Sequence, residues 1–344
     1  MLTFFTIKFI LVVVVFALSL GVAAYSTWGE RKFAAVLQDR IGPDRAGPFG
    51  LLQPLADGLK MFMKEEFIPS DANKWLFILG PSLFMMTACM TGVVIPWTSP
   101  IQYDGQTYAM QISDINIGVL YVLGVASIGV YGIMIGGWSS NNKFALMGSL
   151  RASSQMISYE IALGLAVVAI VMMTGELSLG AIVEKQANGG YWNILKQPLG
   201  FVIYLVCAFA ECNRAPFDLP ETESELVGGY HTEYTSMKLG FFLFAEYINM
   251  FISSALIVSL YFGGYHLPYI SDLGLGPNLM AFIHFGIFMT KVVFFILFYM
   301  WVRWTLPRFR FDQLMNLGWK ALLPLALVNI MLTAGVMYFL GLVK

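Results

Sequence analysis

Charge is scarce in this sequence: Asp, Glu, Lys and Arg together make up 12% of its 344 residues, about half the share of an ordinary soluble domain. That scarcity excludes a water-soluble core wrapped in a charged surface. A net charge of -1 removes the electrostatic case for a nucleic-acid partner. Cysteine is equally sparse. Cys89, Cys207 and Cys212 form no CxxC pair and no Cys/His cluster, so they read as small apolar core residues rather than as metal ligands or a disulfide. Alternating hydrophobicity at strand length is missing, which excludes a membrane β-barrel. Internal repeats are missing too, which counts against common transporter architectures.

What is abundant is apolar sequence, 58% of the chain, and it comes in blocks. Crossing a hydrocarbon layer of about 30 Å takes roughly 20 helical residues. Eight blocks meet that length, near 5–28, 75–97, 115–138, 156–175, 194–212, 239–264, 280–304 and 320–342. Lys196, Pro198 and Gly200 interrupt the start of the fifth. The first is too long for a signal-peptide core and runs into Glu30-Arg31-Lys32 instead of a small-residue cleavage site, so it reads as an uncleaved span. The expected fold is an all-α polytopic membrane protein, one membrane domain over 1–344 with eight transmembrane helices.

The basic residues orient it. The loops after spans 1, 3, 5 and 7 hold fifteen of the twenty Lys and Arg, against Lys8, Lys185, Lys196 and Lys344 on the other side. By the positive-inside rule the odd loops face the cytoplasm or matrix and both termini lie outside. The first loop also carries structure. Leu51, Leu52, Leu55, Leu59, Phe62 and Met63 share one helical face opposite Gln53, Asp57, Lys60 and Lys64. That pattern predicts an interfacial amphipathic helix near 50–67.

A few charges sit where lipid would penalise them. Glu160, Glu211 and Glu246 fall in the cytoplasmic half of spans four, five and six, and Lys291 near the middle of span seven. A charge at mid-bilayer costs roughly 2.5–3.5 kcal/mol on insertion scales unless paired or hydrated. Structural pairs, for instance Glu246 with Lys291 or Arg303, are one explanation. Three carboxylates against one central lysine leave charge uncompensated, and that favours proton handling. The loop over 213–237 adds Asp218, Glu221, Glu223 and Glu225, interleaved with Pro216, Phe217, Leu219, Pro220 and Leu226. Such a mixture predicts a folded acidic cluster more than a solvated run, and close carboxylates favour holding protons. After span seven, Arg303, Arg308 and Arg310 with Asp312 form a strip at the same face. It serves as a positive-inside anchor, a docking strip for a peripheral protein, or counter-charge for the acidic loop. His231, His266 and His284 read as structural.

Several segments carry a family pattern: Glu30-Arg31-Lys32, Gln38 to Gly50, Leu52 to Asp57, Ser158-Tyr159-Glu160, Ala210 to Glu221, Glu223 to Val227, Ala245-Glu246-Tyr247, and Pro307 to Gln313. In order and over about 25–325, they resemble the H-subunit family of respiratory NADH:quinone oxidoreductase, complex I, whose mitochondrial members are called subunit 1. The resemblance implies a subunit that joins membrane and peripheral arms and closes a quinone chamber. It binds no redox cofactor itself; FMN and iron–sulfur clusters belong to partner subunits, and quinone is the substrate. Glu30, Arg31, Arg40, Asp57 and Arg303 would line or gate the chamber. Glu160, Glu211, Asp218, Glu221, Glu223, Glu225 and Glu246 would form an acidic funnel coupling quinone chemistry to proton movement. Asp44 and Cys212 depart from the usual pattern, where Asn and Thr are common. The other readings are a related subunit of a hydrogenase-type ion pump, separable by gene neighbours, a stand-alone proton-coupled transporter, separable by single-chain liposome activity, and a scaffold.

Overall fold

The computed structural model describes residues 2–219, 226–268 and 276–341, with side chains from Phe5 onward. Glu221, Glu223 and Glu225 therefore lie outside the described residues. The chain is an all-α polytopic membrane protein. Seven helices among the described residues are long and apolar enough to cross a membrane: α1 (Leu2–Leu37), α3 (Lys74–Thr91), α4 (Gly118–Ser139), α5 (Lys143–Thr174), α9 (Ser236–Tyr261), α10 (Pro277–Thr305) and the composite stretch Phe311–Phe339. An eighth apolar helix, α8 (Pro198–Glu211), has 14 residues and at 1.5 Å per residue reaches only about 21 Å. Pro198 sets its start. Before it, Gln197 leaves helical geometry and ends the single turn α7 (Asn193–Lys196).

Helix ends follow local chemistry. Asn73 caps α3 by accepting from the Trp75 and Leu76 amides at 3.2 and 3.4 Å, and Asn142 caps α5 by accepting from Phe144 N at 2.9 Å. Gly175, at φ +70°, closes α5 in the left-handed conformation. Helix α1 runs on through Glu30-Arg31-Lys32 to Leu37, because charge ends a hydrophobic block without ending a helix; the break comes at Asp39, left-handed at φ +50°. On the same side lies α2 (Gln53–Met63), with Leu55, Leu59 and Phe62 exposed on one face. On the opposite side, Ile101–Tyr103 and Gln106–Tyr108 form an antiparallel hairpin (β1, β2) around Asp104-Gly105, both at positive φ. The short helix α6 (Leu179–Asn188) lies on that side as well.

The core is organised about α9, whose most apolar window is 72% buried against 17% for α1. Around it α3 and α4 approach at backbone distance: a Cβ at Gly80 would come within 2.8 Å of Gly136 Cα. Small residues permit that contact where lipid offers no hydrophobic drive for association. In the last stretch, α11 (Phe311–Asn316) and α12 (Leu323–Phe339) are joined by a π-turn over Leu317–Leu322. The π-turn shifts the backbone bonding register, and Tyr159 OH donates to Leu314 O at 2.9 Å beside it.

Candidate functional site

Three helices and the turn after α8 bring charged residues together beneath the side carrying the basic loops. Glu30, at the end of α1, is 7% exposed and takes three partners. Tyr247 OH, from α9, donates to Glu30 Oε2 at 2.7 Å. Arg303, from α10, contacts Glu30 Oε1. Arg214, in the turn after α8, places Nη1 3.5 Å from Glu30 Oε2 and Nη2 4.0 Å from Glu246 Oε2. The Arg214 guanidinium also lies 4.0 Å over the Tyr247 ring. Burial opposes its charge; the Tyr247 oxygen and the Glu30 and Glu246 carboxylates more than offset that and hold it protonated. Glu246 is 3% exposed and accepts from Tyr230 OH at 3.0 Å.

The scaffold explains why these groups meet. Gln155 of α5 donates to the carbonyls of Ala210 at 2.8 Å and Phe217 at 2.7 Å, which pins the turn carrying Arg214. Gly148 of α5 lets Gly229 approach at backbone distance; a Cβ there would lie 2.8 Å from Gly229 Cα and 2.9 Å from Tyr230 N. That contact delivers Tyr230 to Glu246.

A cavity of about 490 Å³ opens beside the cluster. Its polar wall holds Glu30, Arg31, Asp57, Lys60, Tyr247 and Arg303, and its apolar wall includes Pro54, Met61, Leu239, Leu243, Phe244 and Trp304. Arg31 and Asp57 bridge α1 to α2 at 2.8 Å. An apolar wall with a few convergent polar groups is the usual make-up of a small-molecule site.

Deeper in the bundle, Ser127 Oγ of α4 donates to the Glu160 carboxylate. Glu211 lies on two small voids of about 30 and 20 Å³. Thr87, Thr91, Asn249 and Ser253 line the first, Tyr204 and Leu260 the second.

The expected site residues thus separate. Glu30, Arg31, Asp57 and Arg303 share the cavity, and Glu30 and Glu246 share one ion cluster. Arg40 stands apart, its Nε donating to Gln38 Oε1 at 2.8 Å on an exposed loop. Asp218 pairs with Arg308 at 2.9 Å, so counter-charge for the acidic loop describes Arg308. Arg310 and Asp312 pair with each other at 3.2 Å in solvent. Among the described residues, Lys291 pairs with no carboxylate. Its Nζ donates to the carbonyls of Phe262, Gly264 and His266 at 2.8, 2.9 and 2.6 Å and lies 4.8 Å over the Trp192 ring. Sequence reasoning misses Arg214, Tyr230 and Tyr247. The available signal was an arginine three residues beyond Glu211 at a membrane rim, and a tyrosine directly after Glu246.

Fold and site define a class: a helical membrane protein with a cavity walled on one side by a buried ion cluster. Residues 8–334 match the protein family described as NADH dehydrogenase. The H 1 subunit of NADH-quinone oxidoreductase from Cytophaga hutchinsonii is 67% identical over 95% of both chains. The H subunit from Flavobacterium johnsoniae is 58% identical over 96% of this chain and 94% of its own, and the H 1 subunit from Geobacter metallireducens is 47% identical over 95% of both. The chain belongs to this NADH dehydrogenase family of membrane subunits.

Proposed function

We propose that the chain is the membrane subunit of a proton-translocating NADH:quinone oxidoreductase that closes the quinone chamber and couples quinone reduction to proton movement. The observation that carries this reading is the cavity between α1, α2, α9 and α10. Its apolar wall suits an isoprenoid tail and its polar end meets Glu30, Asp57, Arg31 and Arg303. The headgroup lies at the polar end, and the tail leaves along the apolar wall toward lipid. A reduced headgroup needs protons. Glu30 and Glu246, bridged by Arg214, lie beside it and form the near end of an acidic funnel, with Glu160 and Glu211 further inside and Asp218, Glu221, Glu223 and Glu225 completing it. A change of charge in the cavity then alters the field on the next carboxylate, which is the coupling step. Lys291, placed on backbone carbonyls, holds the far end of α9 in position.

In this reading the chain is one membrane domain of a bacterial plasma membrane, with the mitochondrial inner membrane as the equivalent location, and its odd-numbered loops face the cytoplasm. Its partners are the quinone-site and iron–sulfur subunits of the peripheral arm, the adjoining small membrane subunits and lipid. FMN and the iron–sulfur clusters belong to those partners. Arg310 and Asp312 face the peripheral arm.

Filling the cavity tests the proposal. Leu243→Trp should raise the KM for a long-tail quinone about tenfold, with NADH:ferricyanide reduction unchanged, since one mis-sized pocket group is worth roughly 1–3 kcal/mol. An unchanged KM would sink the cavity assignment. Glu211→Gln or Asp218→Asn should abolish turnover or pumping while assembly survives; normal pumping in both would remove the funnel.

A further inference from the structure

The end of α2 and the segment just after it are fastened to the start of α9 by three polar contacts. Lys238 is 7% exposed, lies 5.4 Å over the Phe77 ring, and places Nζ 2.8 Å from Glu66 Oε1. Ser236 Oγ donates to Met61 O at 3.0 Å, and Thr235 Oγ1 accepts from Phe67 N at 3.4 Å. Ser236 takes φ +57°, a conformation that L residues adopt rarely. The backbone is thus bent to present these groups to the segment 61–67. Met61, Lys64, Ser236 and Leu239 all line the cavity, so the fastened segment is part of its wall.

Beyond these ties α2 rests on α1 and α9 along one face only. Leu55, Leu59 and Phe62 are 61, 61 and 69% exposed, so their face finds no support in the protein. The other charged tie, Arg31 to Asp57, is half in solvent and correspondingly screened. Lys238 differs, because an ammonium enclosed among Phe77 and its neighbours loses hydration and depends on its carboxylate partner. Phe77 is itself held by stacking on Tyr234, with ring centroids 4.1 Å apart.

We infer that Lys238, a buried cation outside the quinone cavity, is a positioning residue for the cavity mouth: through Glu66 it holds the segment that follows α2, and with it the end of that helix, and so orders the wall that a quinone tail passes. This rests on the reading of the cavity as the quinone site. When the tie is lost, the wall must be ordered on binding, and that ordering weakens affinity. The step at the headgroup is untouched.

The test uses the assembled oxidoreductase carrying Lys238→Met, Lys238→Arg or Glu66→Gln. Amide hydrogen exchange over 53–67 should rise about threefold in K238M and E66Q, the scale of a partly exposed ion pair, and stay near wild type in K238R. The KM for a long-tail quinone should rise by the same factor, about threefold, while kcat and ferricyanide reduction hold. Wild-type exchange over 53–67 in both K238M and E66Q overturns the inference. So does an equal loss of kcat with long-tail quinone, short-tail quinone and ferricyanide, since that marks a general fold defect. Raised exchange with an unchanged KM leaves the anchoring in place and overturns the passage assigned to the cavity. Should K238M fail to assemble, E66Q alters only the exposed partner and yields the same readings.

Discussion

Replacing Arg214 with Met is the most informative perturbation of the ion cluster. Removing one partner of a buried pair costs about 3–5 kcal/mol, because the remaining charge stays buried. Here Glu30 keeps Arg303 and Tyr247, and the Glu246 contact is already 4.0 Å long. The lower end applies, about 3 kcal/mol. Glu246 bears most of it. Adding Glu246→Gln to Arg214→Met should therefore restore about 1–2 kcal/mol, the coupling expected of two residues in contact. Amide exchange over 241–250 in the assembled complex reads the local opening of α9. Arg214→Met should speed it by about two orders of magnitude, a factor that follows from 1.4 kcal/mol per decade. The double variant should recover roughly one of them. If the two substitutions instead add their losses, or protection is unchanged in Arg214→Met, the guanidinium does not bridge the carboxylates and the cluster is misdescribed.

Three further outcomes follow from the geometry. Gly148→Ala drives a methyl into the Gly229 backbone and should destabilise by about 1–3 kcal/mol, lowering quinone reduction as Tyr230 leaves Glu246; unaltered activity and exchange protection would refute the contact. Lys291→Met strands three carbonyls at about 1–3 kcal/mol each. The complex should accumulate poorly while surviving enzyme keeps its protons-per-electron ratio, and good assembly with a lowered ratio would place Lys291 in proton transfer after all. Burial first, then His284 and Lys291, pull His266 down to about 4 from 6.5. The folded value lies below the unfolded one, so stability at this site is complete above 6.5 and falls as pH drops toward 4. His266→Gln should flatten that part of the thermal-stability profile, and an unchanged slope would count against it.

The sequence carried the membrane class, the apolar blocks and the crowding of charge on one side, because each is set by local composition. Helix ends were less legible. Glu30, Arg31 and Lys32 suggested a loop, yet nothing in them breaks a helix, and α1 carries Glu30 inward to Arg303 and Tyr247. Partners were least legible of all. Lys291 looked like counter-charge for the buried acids because both lie within spans. Its depth instead matches the left-handed pair Gly263-Gly264, at φ +70° and +56°, whose surrounding carbonyls accept its hydrogen bonds. Arg40 follows Arg31 closely in the sequence, but the turn at Asp39, φ +50°, sends it away from the cavity. Such distinctions arise from tertiary contacts between distant segments, which periodicity and composition do not encode.

Helix α9 has a mechanical consequence. At 26 residues it is a rod of about 39 Å. Lys291 clamps its far end, the α2 ties hold its near end, and Glu246 projects from the shaft between them. With the far clamp as a pivot, a small tilt of the rod displaces the near end most. The same tilt that shifts the cavity wall moves the Glu246 carboxylate against Arg214 and Tyr230. Opening of the mouth and the spacing of the charges are thus two readings of one angle.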